Sequence, residues 1–246
     1  MSSKNIYANT VAEYQARRLF GREKLRRIAD ANFSDAVRML IGYGYSGDYD
    51  NADTQDIDDF IDTQIHSLTE FVKENSASDA LAKILLNSFN YSKTQAVFAD
   101  NSALAEKIGV SSLIRYCKRQ IDITNILTAY RANKLGYNHE EILSELFEGG
   151  EIDLESITLI NDLKETIYDE AVTALEAGNL QRFRRLTEDL LLETLKKDSN
   201  NFMSYGPFIR YIFTQMEEYR TVRYILVCIK NNIPFSADNF RSIDDD

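Results

Sequence analysis

The chain has 246 residues, of which 44% are hydrophobic and 27% charged, with only ten Gly and two Pro. This composition is globular, and the scarcity of Gly and Pro favours long helices joined by short turns. The formal net charge of −11 excludes counterion release from nucleic acid as a main source of binding energy, and no apolar run is long enough to span a membrane.

The first predicted helical region extends from residue 6 to residue 40 and is interrupted near Gly21 and Asn32. Six Arg or Lys residues lie between positions 17 and 27, and seven Asp residues lie between positions 48 and 62. We interpret this uneven charge first as solvated helix faces and an acidic loop. Thr54 is predicted to cap the next helix, which continues to residue 72.

A helical region then begins near Ser78, with predicted breaks near Asn101 and Gly109. A long amphipathic helix is predicted from residue 111 to residue 134, and Gly136 is predicted to end it.

Asn138, followed three positions later by Glu141, predicts a capping box that opens a short helix. We expect this helix to end at Gly149 and Gly150.

The pattern from residue 153 to residue 177 is helical, and Gly178 and Asn179 are predicted to end this helix and cap the next one. Lys196 and Lys197 suit the C-terminus of that next helix. The last predicted helix extends from Pro207, in its first turn, to residue 233, where Pro234 stops it.

No segment alternates with period two between hairpin turns, so the sequence predicts an all-α fold. A weak internal repeat supports related helical units: Leu-Ile-Arg-Tyr at 113–116 recurs as Phe-Ile-Arg-Tyr at 208–211, and Gln120 and Asp122 recur as Gln215 and Glu217. Chance identity between two amphipathic helices is the competing interpretation.

The sequence offers little for catalysis or for cofactor binding. His66 and His139 lie in different segments, without metal-ligand spacing, and no phosphate-binding Gly-Lys motif is present. A calcium loop at residues 48–59 is rejected because Asp53 replaces the turn glycine. Cys117 and Cys228 lie in apolar helical patterns and are interpreted as buried free thiols, without a disulfide framework. A cytoplasmic chain is expected, because the first twenty residues lack a signal-peptide pattern and no later segment is apolar enough to span a membrane. We therefore predict a non-enzymatic protein without a cofactor or metal, whose partners are other proteins.

Three groups of residues resemble one known family. The C-terminal group is Gly206-Pro-Phe-Ile-Arg-Tyr-Ile-Phe, then Glu218, Arg223, Ile225, Leu226 and Lys230, closing on Asn232-Ile-Pro234. The middle group is Asp122, Asn125, Ile126, Arg131, Lys134 and Gly136, then Leu146 and Gly149-Gly150-Glu-Ile152, and the N-terminal group is Tyr7, Arg18, Leu25, Leu40 and Tyr45. Together they resemble the C-type subunit of the V-type and A-type rotary ATPases, which is known as the d-type subunit in eukaryotic complexes.

The resemblance implies helical-bundle pseudo-repeats in a funnel-like array, seated on the membrane proteolipid ring and receiving the central shaft, which is built from the D-type and F-type subunits. It implies a non-catalytic rotor protein that links ATP to proton or sodium transport, peripheral on the cytoplasmic side of the membrane complex. The chain is shorter than the usual member, with the loss expected between residues 98 and 110.

We expect one unit over residues 1–246, with subdomains at 1–75 (paired with the C-terminal helix), 76–150 and 151–246. The family-motif positions, structural or interfacial, are Tyr7, Arg18, Asp122, Asn125, Arg131, Lys134, Gly150, Pro207, Glu218, Arg223 and Lys230. Basic residues at 17–27 or 182–185, together with exposed aromatic side chains, are the hypothetical contacts to acidic or apolar partners. The alternatives are a free-standing helical scaffold or regulator and, more remotely, a hydrolase using paired carboxylates.

Overall fold

The computed structural model describes residues 3–89, 94–196 and 204–235. Within these ranges the chain forms twelve α-helices and one short 3₁₀ helix and no β-strand, which confirms the predicted all-α fold. The helices are α1 Ser3–Ala16, α2 Arg22–Ala29, α3 Phe33–Gly42, α4 Ile57–Asn75, α5 Asp79–Phe89, α6 Gln95–Ile108, α7 Ser111–Leu135, α8 His139–Ser144, α9 Leu154–Thr158, α10 Asp169–Glu176, α11 Leu180–Lys196 and α12 Gly206–Lys230, with the 3₁₀ helix at Ile160–Leu163.

The described residues group into two compact units. The first unit consists of the described residues within 1–77 and 207–246, and the second unit consists of the described residues within 78–206. The threefold division at residues 75 and 150 stays a prediction.

The first unit has a core to which both ends of the chain contribute. Side chains from α2, α3, the following loop and α4 pack with Val222, Ile225 and Leu226 of α12. These α12 residues recur at helical spacing and are fully buried, so burial of one face holds the last helix against α2, α3 and α4. Cys228 is also buried, as predicted.

The second unit has its own core. Ile126 and Ala129 of α7 pack with Ile157, Tyr168 and Phe183, which come from α9, the start of α10 and α11. α7 has 25 residues and is therefore about 37 Å long at 1.5 Å per residue, and it contacts α8, α9, the 3₁₀ helix and α11. Cys117 of α7 is a buried free thiol, as predicted.

Several predicted helix ends are confirmed. Gly109 and Gly136 have positive φ angles of 76° and 83° and end α6 and α7, a conformation that glycine adopts without steric cost. Asn138 and Glu141 form the predicted capping box of α8. Asn179 accepts a hydrogen bond from the Arg182 amide at the start of α11.

Other helix limits differ from the prediction. Thr54 does not cap α4, because Asp56 lies closer to the first turn and accepts hydrogen bonds from the amides of Asp58 and Asp59. Asn101 does not break its helix, because its side chain accepts a 2.7 Å hydrogen bond from Asn87 of α5 and so does not compete with the α6 backbone. α8 ends at Ser144, well before the glycine pair.

The predicted helix over residues 153–177 is wrong as one element. It is divided into α9, the 3₁₀ helix and α10, with Glu165 in the left-handed region at φ 82°. Thr166 is one physical cause, because its hydroxyl donates to the Leu163 carbonyl at 2.6 Å and accepts from the Tyr168 amide at 3.1 Å. Such side-chain hydrogen bonds compete with those of a helix.

The last predicted helix is slightly shorter than expected, since α12 ends at Lys230 and Asn232 has a positive φ of 51°. Lys197 lies outside the described residues. None of the described helices combines the length and the apolar character needed to cross a bilayer.

Candidate functional site: two buried carboxylate clusters and exposed motif residues

Asp122 is the centre of a buried polar cluster in the second unit. Its side chain is fully buried on α7 and accepts hydrogen bonds from the amides of Glu151 and Ile152, both at 3.2 Å. The hydroxyl of Tyr168 donates a further bond of 3.0 Å. We call Asp122, Tyr168 and these two amides the Asp122 cluster.

Burial raises the pKa of the Asp122 carboxyl above its ordinary value, while the amide and hydroxyl donors oppose that shift. Burial and the adjacent Asp122 carboxylate together raise the pKa of the Tyr168 phenol, so the phenol keeps its proton and remains a donor. Each oxygen of the Asp122 carboxylate therefore accepts at least one hydrogen bond within the cluster.

Gly150 explains why the loop at residues 147–152 can approach α7 so closely. A Cβ atom at Gly150 would lie 2.0 Å from Asp122 Oδ1. Gly149 has a φ of 100°, which other residues rarely adopt. The glycine pair thus ends no helix but permits a loop to contact a buried carboxylate.

Asn125 holds the other end of the same loop. Its Nδ2 donates to the Phe147 carbonyl at 2.7 Å, and its Oδ1 accepts from the Phe147 amide at 2.8 Å. The Phe147 ring packs against Phe98 of α6 with 5.1 Å between centroids. Asp122 and Asn125, one helical turn apart on α7, therefore fix the loop at two points.

Glu151 extends this network to α11. Its carboxylate lies 3.3 Å from Arg115 and 3.1 Å from Arg119, both on α7. Arg119 also donates to the Thr194 hydroxyl of α11 at 2.6 Å.

Glu218 is the centre of a second buried cluster, in the first unit. Its Oε2 accepts the Phe20 amide at 2.6 Å, and its Oε1 accepts the Tyr45 hydroxyl and the Gln215 amide, both at 2.9 Å. Only 2% of the residue is exposed. We call Glu218, Gln215, Tyr45 and the Phe20 amide the Glu218 cluster.

Aromatic rings enclose the Glu218 cluster. The Tyr45 ring stacks on Phe20 and Phe60 at 5.6 and 5.9 Å and meets Tyr219 edge-on. Burial in this environment raises the pKa of the Glu218 carboxyl, against the hydrogen bonds that it accepts and the positive charge of Lys24. Burial likewise raises the pKa of the Tyr45 phenol.

The two clusters share one design. In each, a long helix supplies a buried carboxylate that accepts a loop amide and a buried tyrosine hydroxyl. The sequence repeat pairs Asp122 with Glu217, whereas the contacts pair Asp122 with Glu218, one residue later. Tyr168 carries no distinguishing signal in the sequence, because it is one tyrosine among fourteen and lies between Ile167 and Asp169 in an ordinary helical pattern.

The other motif positions lie elsewhere. Pro207 is buried in the first turn of α12, as predicted. The exposed motif positions are Tyr7, Arg18, Arg131, Lys134, Arg223 and Lys230. Arg223 forms a surface ion pair with Asp58 at 2.7 Å, and the Lys230 ammonium lies over the Phe33 ring.

The histidines form no reactive centre with each other. His139 Nε2 lies 2.7 Å from a Glu155 oxygen and its Nδ1 lies 3.1 Å from the Thr158 hydroxyl, which joins the start of α8 to both ends of α9. His66 is exposed on α4, in the other unit. Over the described ranges no three His, Cys, Asp or Glu side chains converge as metal ligands would.

Fold and clusters together describe an all-α protein whose buried polar residues hold loops onto long helices. A family model for the ATP synthase (C/AC39) subunit matches residues 94–237, more than half of the chain. The protein belongs to this family, as the resemblance of its motifs predicted. No curated protein matches the chain.

Proposed function

We propose that this protein is a non-catalytic central-stalk rotor component of a V-type or A-type ATPase, which couples the rotating shaft to the proteolipid ring. The observation that carries the proposal is the family match over residues 94–237, which contains both carboxylate-bearing helices. A protein that transmits torque needs stiff elements and contact surfaces, and it needs no reactive group.

The buried clusters support a load-bearing role. α7 and α12 each have 25 residues. Asp122 of α7 accepts two amides of the loop at 147–152, and Glu218 of α12 accepts the Phe20 amide and the Tyr45 hydroxyl, which lie in two different loops. Satisfied buried networks make the local structure rigid, because any displacement leaves a buried polar group unpaired. A force applied to either helix is thereby passed to the loops bound to it.

The exposed motif residues supply the contact surface in this proposal. Arg131 and Lys134 lie near the end of α7, where Leu135 is 74% exposed and Tyr137 is 45% exposed. Arginine and tyrosine beside an exposed apolar side chain are typical of energetically important interface positions.

Affinity purification of the full chain from its native cell, in mild detergent, tests the proposal. The catalytic head, shaft and ring proteins of a rotary ATPase are expected to co-purify at fixed ratios. Recovery of the chain without any of them would refute the rotor role and favour a free-standing helical scaffold.

A charge reversal at Arg223 separates an interface role from a structural one. The Arg223–Asp58 pair is exposed, so its loss in R223E is expected to cost no more than about 1 kcal/mol. An interfacial Arg223 predicts a nearly unchanged melting temperature together with reduced ion transport per ATP hydrolysed, measured in vesicles containing the complex.

The swapped variant R223D with D58R is the control, because it restores the pair with reversed charges. If the swap restores coupling, Arg223 acts through Asp58 and not through a partner. An R223E protein that melts much earlier would likewise contradict the interfacial role.

A further inference from the structure

One face of α1 exposes aromatic and apolar side chains to an unusual degree. Ile6, Tyr7 and Tyr14 are 48%, 61% and 57% exposed. Tyr7 and Tyr14 are seven residues apart, so they lie on the same side of the helix, with Thr10 between them. The opposite side is occupied, since Ala8, Asn9 and Ala12 are buried.

The buried side of α1 holds the helix in place within its own unit. Asn9 Oδ1 accepts the Phe208 amide at 3.2 Å, at the start of α12, and α1 also packs against α4. The exposed face is therefore presented by a helix of fixed orientation within its unit.

The same face is positively charged. Arg17 and Arg18 are exposed at its C-terminal end. The Arg18 guanidinium donates to the Tyr14 hydroxyl at 3.4 Å and lies 5.3 Å from the centre of the Tyr14 ring. This contact limits the motion of both side chains, which lowers the entropy lost when a partner binds.

The carboxylate of α1 lies at the border of the face and not within it. Glu13 is half-buried and lines a small cavity with Pro207 and Tyr211. Residues 3–18 carry three Lys or Arg against one Glu, whereas residues 28–77 carry two Lys or Arg against eleven Asp or Glu. The α1 face is thus a local basic surface on a strongly acidic chain.

We propose that the α1 face, formed by Ile6, Tyr7, Thr10, Tyr14, Arg17 and Arg18, binds a segment of a different protein, not of a second copy of this chain, and that this segment presents Asp or Glu beside apolar side chains. Carboxylates of the partner pair with Arg17 and Arg18, and its apolar groups cover Ile6 and the two tyrosines. The binding of an acidic protein segment does not depend on the function proposed above. That function enters only if the partner is taken to be another component of the ATPase.

A protein partner fits this surface better than an anionic membrane. Binding to anionic lipid grows with the number of basic residues near the surface. Here the eleven acidic residues of positions 28–77 belong to the same compact unit and would be repelled by such a membrane. Tyr and Arg are moreover the residue types that dominate protein interfaces.

The test places a photo-crosslinking amino acid at position 7 of the full chain in its native cell, with a second probe at exposed His66 of α4 as the matched position. We expect the position-7 probe to attach to a carboxylate-rich peptide of another chain, identified by mass spectrometry, and the position-66 probe not to reach that peptide. Attachment of the position-7 probe only to residues 48–62 of a second copy, only to lipid, or to nothing would overturn the proposal.

Charge and shape variants complete the test. R17E with R18E, and separately Y7A with Y14A, are expected to lower the crosslink yield from a probe at Ile6 about tenfold or more. The control is R182E with R184E, the same charge change on exposed residues of α11, which should leave the yield unchanged. Loss of the crosslink in the α11 variant but not in the α1 variant would assign the contact to α11 instead.

The two proposals can fail separately. If ATPase proteins co-purify but the position-7 probe finds no acidic partner, the α1 inference is wrong and the rotor role stands. If the probe finds an acidic peptide but no ATPase protein is recovered with the chain, the rotor role fails and the α1 surface stands.

Discussion

At the scale of single residues, Gly150 is the described glycine of the second unit at which an added Cβ would meet the closest contact. Its missing side chain leaves the space in which Asp122 meets the loop amides, and an added Cβ would lie 2.0 Å from a carboxylate oxygen. Asp122 cannot move aside without leaving the Glu151 amide, the Ile152 amide or the Tyr168 hydroxyl unpaired.

Gly150→Ala is therefore expected to lower the free energy of unfolding by about 2 to 4 kcal/mol, from overpacking together with a lost buried hydrogen bond. Urea denaturation followed by circular dichroism measures this change. Gly42→Ala is the control, since nothing lies within 4 Å of a Cβ at this exposed helical position. Its effect should be neutral or slightly stabilising, and a G150A protein as stable as G42A would contradict the close contact.

Glu218 gives a prediction about pH. Its raised pKa means that the folded chain holds the proton more tightly than the unfolded chain, whose pKa is near the ordinary 4.5. Tighter proton binding by Glu218 in the folded state therefore stabilises the fold. This contribution is fully present below pH 4.5 and is lost as the pH rises through the raised pKa of the folded state.

Comparison with Glu218→Gln, which cannot titrate, isolates that contribution. The difference in unfolding free energy, wild type minus E218Q, is expected to decrease as the pH is raised from about 4 through the titration of the folded state and then to become constant. Urea denaturation at a series of pH values measures it. A difference that grows with pH would mean that the hydrogen bonds from Phe20, Tyr45 and Gln215 outweigh burial and that the pKa is in fact lowered.

At the scale of elements, the loop 147–152 is fixed by two side chains of α7 rather than by its own backbone. Asn125→Ala is expected to release the Phe147 end and leave the Asp122 end in place, because the two attachments use different side chains. Amide hydrogen exchange at Phe147 should become at least tenfold faster, the equivalent of about 1.4 kcal/mol of local opening.

The Thr124→Ala variant is the control for Asn125→Ala. The Thr124 hydroxyl donates only to the carbonyl of Gln120, one turn earlier in the same helix. Its removal should leave the exchange at Phe147 unchanged. Equal acceleration in both variants would mean that the loop responds to general weakening of α7 and not to the loss of the Asn125 side chain.

Which elements the sequence could predict depends on the range of the interactions that define them. Gly136 and the Asn138–Glu141 box act within one turn, so their effect is visible in the local sequence. The partners of the buried carboxylates are not local: Tyr168 is 46 positions from Asp122, and Phe20 is 198 positions from Glu218. Motif resemblance identified both carboxylates, but nothing in the sequence identified what they bind.

The prediction of a single helix over residues 153–177 is wrong for a related reason. Its apolar residues keep a helical spacing that serves the core equally well when the backbone is broken, and Ile157, Tyr168 and Val172 all contribute to one cluster. The break itself depends on the hydroxyl of Thr166, and threonine is also common within helices.

At the scale of the whole molecule, the second unit is one continuous stretch of the sequence, and the first unit is formed by the residues that precede and follow that stretch. The buried members of its core cluster lie between Ile123 and Phe183, and the half-buried side chains of Leu186, Leu190 and Leu191 that pack against them belong to the same unit. A continuous segment with its own core is expected to fold independently.

A fragment of residues 78–206 is therefore expected to unfold in one cooperative urea transition, with an m-value of about 1 to 3 kcal/mol per molar and a helical circular dichroism spectrum. A shorter fragment, 78–178, is the control, because it lacks α11 and with it the buried side chains of Phe183 and Leu195. Its core would be left open, and we expect no cooperative transition. If the longer fragment is helical but melts gradually and binds hydrophobic dyes, the second unit does not pack independently, which would contradict this prediction.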